Sequence, residues 1–140
     1  MNATAYVLPA AAMALLVLAV WMRLFFTRIP EMKRERIHPQ SIALSTQAAA
    51  KLRDTRAADN FRNLFELPVL FYVALWAGHA LAIGLPAFFA LAWLFVALRI
   101  VHSIIHCGYN KVLHRFYAYA AGGWVLWAMW AIIAWQALAR

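Results

Sequence analysis

Acidic residues are scarce in this chain. Asp and Glu total 5 against 13 Lys and Arg, for a formal charge of +8. There is one cysteine, Cys107, so an internal disulfide is excluded. Full charges are missing altogether from three stretches: Asn2 to Met22, Leu67 to Leu98 and Phe116 to Ala139. Uncharged runs of that length exclude an ordinary soluble domain, because a bilayer span takes about 20 apolar residues. No positive segment precedes the first run, and Arg23 follows it, so it reads as a retained helix and not a cleaved signal peptide. An HExxH pattern is also lacking, and no carboxylate-rich partner accompanies the histidines, which argues against a zinc enzyme. A haem needs histidines opposed on different helices; only His79 offers itself on another helix, near the wrong end.

What is present is apolar surface. Hydrophobic residues make up 66% of the chain, and the mean hydropathy is +0.69. The length suits one domain, 1–140. The runs predict an all-α integral membrane four-helix bundle with spans at about 5–26, 60–82, 86–108 and 115–137. Gly78, Gly84 and Pro86 mark a turn inside the long middle run. Pro68 falls in the first membrane turns of the second span, where it removes a backbone hydrogen bond and favours a kink. Ala118 and Gly122 form a small-x-x-x-small pair that permits close helix packing. Trp124, Trp127 and Trp130 follow as a line suited to packing or lipid contact.

Between the first two spans lies a long basic loop, residues 27–59. Its first part, 27–52, carries Arg28, Lys33, Arg34, Arg36 and Lys51 against Glu31 and Glu35, and the Ala-rich stretch Ser41 to Leu52 suits a short surface helix. The second basic loop holds Lys111, His114 and Arg115. Since Lys and Arg gather in these two loops, both loops are expected on the cytoplasmic side and both termini on the other. The positive charge therefore reads as topology and attraction to anionic lipid, and not as a nucleic-acid surface. Arg23, at the end of the first span, either snorkels to the headgroups or turns inward.

Two polar stripes interrupt the apolar pattern. Arg53, Arg56, Asp59, Asn60, Asn63 and Glu66 fall within roughly 140° of one helix circumference. Arg99, His102, His106 and Asn110 lie within about 80° of one face of the third span. With the expected topology the stripes sit at similar depth on antiparallel helices. An ionisable group in the membrane marks a functional site by default, and Glu66 and Arg99 are expected to pair, directly or through one bridging group. Together the stripes would line a cationic, cytoplasmic-edge cavity for a small anionic or zwitterionic molecule beside a lipophilic one.

Asn63-Leu-Phe-Glu66 followed by Pro68, with Ala97-Leu-Arg99-Ile-Val-His102 on the third span, resembles the marks of the MAPEG family, the membrane-associated proteins of eicosanoid and glutathione metabolism. The resemblance covers essentially the whole chain. It implies a homotrimer in the membrane lipid, for a bacterial-type member the inner membrane. It also implies glutathione bound as co-substrate between subunits near the cytoplasmic face. The implied activity is conjugation of its thiol to lipophilic electrophiles, or reduction of lipid hydroperoxides. The implied glutathione ligands are Arg53, Arg56, Asn60, Asn63, Glu66, Arg99, His102 and His106. Arg115 is the implied catalytic residue, facing the thiol.

The pattern is not matched throughout. The family's Arg, Asn and Glu of the second helix fit either Arg56, Asn60 and Asn63 or Asp59, Asn63 and Glu66. Some family enzymes have tyrosines where His102 and His106 stand. An ordinary thiol, with a pKa of about 8.5, is mostly protonated at neutral pH, and a guanidinium beside it favours the nucleophilic thiolate. A non-catalytic membrane protein that binds a lipid or another small anion in the same cavity is the alternative. A metal protein using His102 and His106 is a further one.

Overall fold

The computed structural model describes residues 3–139; Met1, Asn2 and Arg140 lie outside them. Helices and turns make up the described residues, with no strand among them. The helices are α1 (Thr4–Arg34), α2 (Ser45–Lys51), α3 (Arg56–Asn63), α4 (Leu67–Ala80), α5 (Pro86–Cys107) and α6 (Val112–Leu138). A 3-10 turn, Pro39–Ile42, precedes α2. Three helices, α1, α5 and α6, are long and apolar enough to cross a membrane.

The first helix runs eight residues past its expected end. The apolar run stops near Phe26, but a helix needs only its backbone ladder and a fixed end, and the ladder passes Pro30 without stopping. Glu31 supplies the fixed end. It is buried, and its carboxylate accepts the backbone N–H of Arg53 at 2.5 Å and of Asp54 at 3.5 Å. So much of the expected 27–59 loop is ordered, first as α1 and then as α2, which buries Ala48. The short surface helix expected within 41–52 is α2.

The expected second span, 60–82, is broken. Helix α3 ends at Asn63 and α4 starts at Leu67. Pro68 has no N–H and its ring crowds the carbonyl four residues back, so the ladder cannot run through. The chain tightens instead: Phe65 N–H bonds to Arg62 O at 2.9 Å and Glu66 N–H to Asn63 O at 3.3 Å. Helix α4 has 14 residues, about 21 Å of rise, shorter than the ~30 Å hydrocarbon layer.

Helices α5 and α6 pack along most of their length, and α1 and α4 close the core. Met13, Phe71, Phe88, Phe95, Leu126 and Met129 are fully buried there, with Phe71 and Phe95 stacked at 4.5 Å. At one end of the bundle, Tyr6 of α1 donates to the Ile83 carbonyl at 2.6 Å and packs edge-on against His79. Gly78 is needed there, because a Cβ would lie 2.7 Å from the Phe88 ring. At the other end, Arg23 turns inward and donates to the Cys107 carbonyl at 2.6 Å. Asn110 bears a φ of 51° in the α5–α6 turn, a conformation asparagine tolerates better than most residues. The outer faces expose Trp76, Trp124, Trp127 and Trp135, which suits lipid contact.

Candidate functional site

Arg99 is the largest fully buried side chain, 1% exposed. Its guanidinium lies 4.8 Å from the Tyr119 ring centre and 5.4 Å from that of Phe95. Gly122 of α6 lies beside this group; a Cβ there would stand 3.9 Å from Arg99 Nε, an ordinary contact. Arg99 Nη1 donates to Asn63 Oδ1 at 3.0 Å, and Asn63 Nδ2 donates to Glu66 Oε2 at 2.9 Å. The expected meeting of Glu66 and Arg99 therefore takes its bridged form, with Asn63 as the bridge. The helix break makes it: Asn63 ends α3, Glu66 precedes α4, and the turn sets both side chains towards α5. Arg99 Nε and Nη2 remain buried without a partner.

One turn on, His102 and His106 share the same face of α5, with ring centres 5.5 Å apart. The His102 Nδ1 lies 3.1 Å from the Arg115 carbonyl on α6, and its ring is 5.9 Å from Tyr119. The Arg115 guanidinium donates to Asn110 Oδ1 at 2.7 Å. These groups surround a cleft of about 200 Å³ lined by Asn63, His102, His106, Arg115 and Tyr119, with Val112 and Phe116 as its apolar rim. Two histidines, an arginine, an amide and a phenol line it, with the Arg99 guanidinium buried behind them, a set that suits an anion with attached hydrogen-bonding groups. Among the described residues no group of three His, Cys, Asp or Glu comes together to hold a metal.

Six of the sequence-predicted residues are thus gathered: Asn63, Glu66, Arg99, His102, His106 and Arg115. Three others lie elsewhere. Arg53 precedes α3; its side chain is 77% exposed and lies 3.7 Å from Glu35. Arg56 bonds Asp54 at 2.8 Å through both Nε and Nη2, and its Nη1 donates to the Gly108 carbonyl at the end of α5. That fork holds the Asp54 carboxyl below the usual carboxylate range, chiefly through its side-chain hydrogen bond. Asn60 is fully buried between α3 and α5, 3.4 Å from both Cys107 Sγ and Ser103 Oγ. Arg56 and Arg23 together occupy carbonyls at the C-terminus of α5, a favourable place for cations.

Sequence reasoning missed Tyr119, whose signal was available, four residues after Arg115 on the same helical face. It also missed the role of Glu31, for which no local spacing could speak, since its partners are 22 and 23 residues away. A larger groove of about 330 Å³ runs between α1 and α5 past Arg23, Ser103 and Cys107. Its polar groups are already engaged, Arg23 on a carbonyl and Cys107 by Asn60.

Comparison with known proteins agrees with the geometry. Among curated proteins and solved structures, none matches the chain significantly. The model of the MAPEG family matches residues 6–135, a range that contains α3 to α5 and all but the last residues of α6. The chain belongs to the MAPEG family.

Proposed function

We propose that this integral membrane protein binds glutathione in the Asn63–Arg115 cleft and joins its thiol to lipophilic electrophiles or uses it to reduce lipid hydroperoxides. The observation that carries the reading is the relay from buried Arg99 through Asn63 to exposed Glu66, beside His102, His106, Arg115 and Tyr119. Arg99 and Arg115 provide cations for the carboxylates of a tripeptide, and Glu66 provides an acceptor for its amine. The second substrate arrives from the lipid, past the apolar rim of Val112 and Phe116. Arg115 takes the thiolate-facing role.

A homotrimer is part of the reading. Pockets that enclose ligands of this size measure about 300–1,000 Å³, and the cleft of one subunit is about 200 Å³. A neighbouring subunit would complete the walls, and Arg53, exposed beside Glu35 on this subunit, would reach a neighbour's site. Helices α3 and α4 act as one broken fourth span. Both basic loops lie in the cytoplasm, both termini outside, in a bacterial inner membrane. The small cleft also favours a second reading, a non-catalytic protein holding a smaller anion or a lipid headgroup.

Isothermal titration of the detergent-solubilised protein with glutathione tests the choice. Saturable heat, together with turnover of a chlorodinitrobenzene or an organic hydroperoxide, supports the enzyme. Saturable heat without turnover moves the assignment to the binding protein. No heat removes glutathione from either reading.

A further inference from the structure

We propose that His102 Nε2 is the proton acceptor that ionises the thiol of bound glutathione. The inference rests on the glutathione reading above and gives the site a base. It starts from hydrogen-bond direction. A carbonyl oxygen only accepts, so the 3.1 Å contact between His102 Nδ1 and the Arg115 carbonyl requires the proton on Nδ1. A neutral imidazole carries one ring proton, so Nε2 holds a lone pair. That atom is buried and has no partner, on a residue 2% exposed. A buried acceptor left open is rare and calls for a donor from outside the chain.

Among the described residues no donor bonds to it, although Arg99 keeps two buried, unpartnered donors, Nε and Nη2. From α5, Arg99 is committed to Asn63 through Nη1 and lies against Phe95 and Tyr119. His106, the other histidine of the cleft, meets His102 edge to face. From α6, the Arg115 guanidinium is held by Asn110, and the Tyr119 ring is tilted towards His102. From α3, Asn63 faces the cleft with its amide spent on Glu66. A backbone carbonyl that fixes one ring nitrogen and aims the other is the arrangement used to set a histidine's tautomer and direction. His106 has no such anchor: its Nδ1 is buried and unpartnered.

The step balances simply. The glutathione S–H bond breaks, its electron pair stays on sulfur, and the proton forms an N–H bond at Nε2. The imidazolium and Arg115 then flank the thiolate. When the thiolate adds to an activated double bond, the resulting carbanion takes the proton back from Nε2. His102 returns to the neutral form, with Nδ1 on its carbonyl throughout.

The test compares wild type with His102→Gln, which keeps an N–H for the Arg115 carbonyl but has no basic atom. Glutathione and S-methylglutathione are added separately, with calorimetry for binding and the ultraviolet thiolate band for ionisation. The expected result is a band in wild type with glutathione alone, saturable binding of S-methylglutathione in both proteins, loss of the glutathione band in His102→Gln at neutral pH, and a rate lower by about 100-fold, carried mainly by kcat. A band and kcat unchanged in His102→Gln overturn the proposal while leaving glutathione binding intact. Absence of heat in wild type is a different failure; it removes the glutathione reading and this role with it. Nitrogen NMR of histidine-labelled wild type is an independent measure that needs no variant. One ring should carry its proton on Nδ1 alone, become doubly protonated with glutathione, and stay singly protonated with S-methylglutathione. Identical spectra with the two ligands overturn it.

Discussion

The two polar stripes differ in how far a helical wheel describes them. On α5, Arg99, His102 and His106 share one face in the sequence and one face in the structure, because α5 is an unbroken helix from Pro86 to Cys107. The stripe from Arg53 to Glu66 crosses a loop, α3 and a break. Its first members, Arg53 and Arg56, serve the loop and the end of α5. Asn60 serves the α3–α5 interface. Only Asn63 and Glu66, at the break itself, join the site. A wheel assigns direction through a constant 100° step, and that step fails wherever the backbone leaves the helix. The break also does something an unbroken helix would not: it turns two adjacent polar groups together towards a buried arginine.

The largest effect is expected at the centre of the α5 stripe. Arg99→Ala removes a buried side chain held between two rings and leaves a cavity, and should lower stability by about 2–5 kcal/mol. Thermal unfolding in a detergent that preserves the fold measures this. A melting point equal to wild type would mean that the Phe95–Arg99–Tyr119 layer adds nothing.

Next come the two asparagines of the broken stripe, whose contrast sharpens the comparison. Asn63→Leu strips Arg99 of the hydrogen bond to Asn63 and should cost about 1–3 kcal/mol. Asn60→Leu loses only long contacts to a sulfur and a hydroxyl, with a cost nearer 0.5–1.5 kcal/mol. Denaturant unfolding of both variants decides it, and the reverse order would place the energetic centre at Asn60.

A smaller effect is expected from Glu66→Gln, because Glu66 is exposed and acts on Arg99 through Asn63. The loss should shrink when Arg99→Met is already present, as coupled residues require. Equal losses in the two backgrounds would show that the relay transmits no energy from Glu66 to Arg99.

The smallest concerns the Asp54–Arg56 fork. The folded Asp54 carboxyl titrates below its usual value, so the unfolded chain binds its proton first as pH falls. The stabilisation is complete above the unfolded value of about 4 and is lost as pH drops through the folded one. Arg56→Met should flatten that acid limb and leave neutral stability nearly unchanged, since the pair is partly exposed. An acid limb of the same steepness in both proteins would assign it to other carboxylates.

The sequence by itself determined that the chain is a helical membrane protein, where most helices start, and which residues of α5 face one way. Apolar length and the 3.6-residue repeat are local properties, and they suffice for that. It also held the Asn63-Leu-Phe-Glu66 and Arg99 marks by which the family is known. The tertiary structure alone decided three things. Glu31 extends α1 by holding backbone groups 22 and 23 residues away. Asn63 stands between Glu66 and Arg99 where a direct ion pair was equally open. The Arg115 carbonyl meets His102 Nδ1 and leaves Nε2 bare. Each depends on a backbone group brought in from another segment or on the exact turn of a break. Such positions are set by packing of the whole bundle, and no spacing within a single helix encodes them.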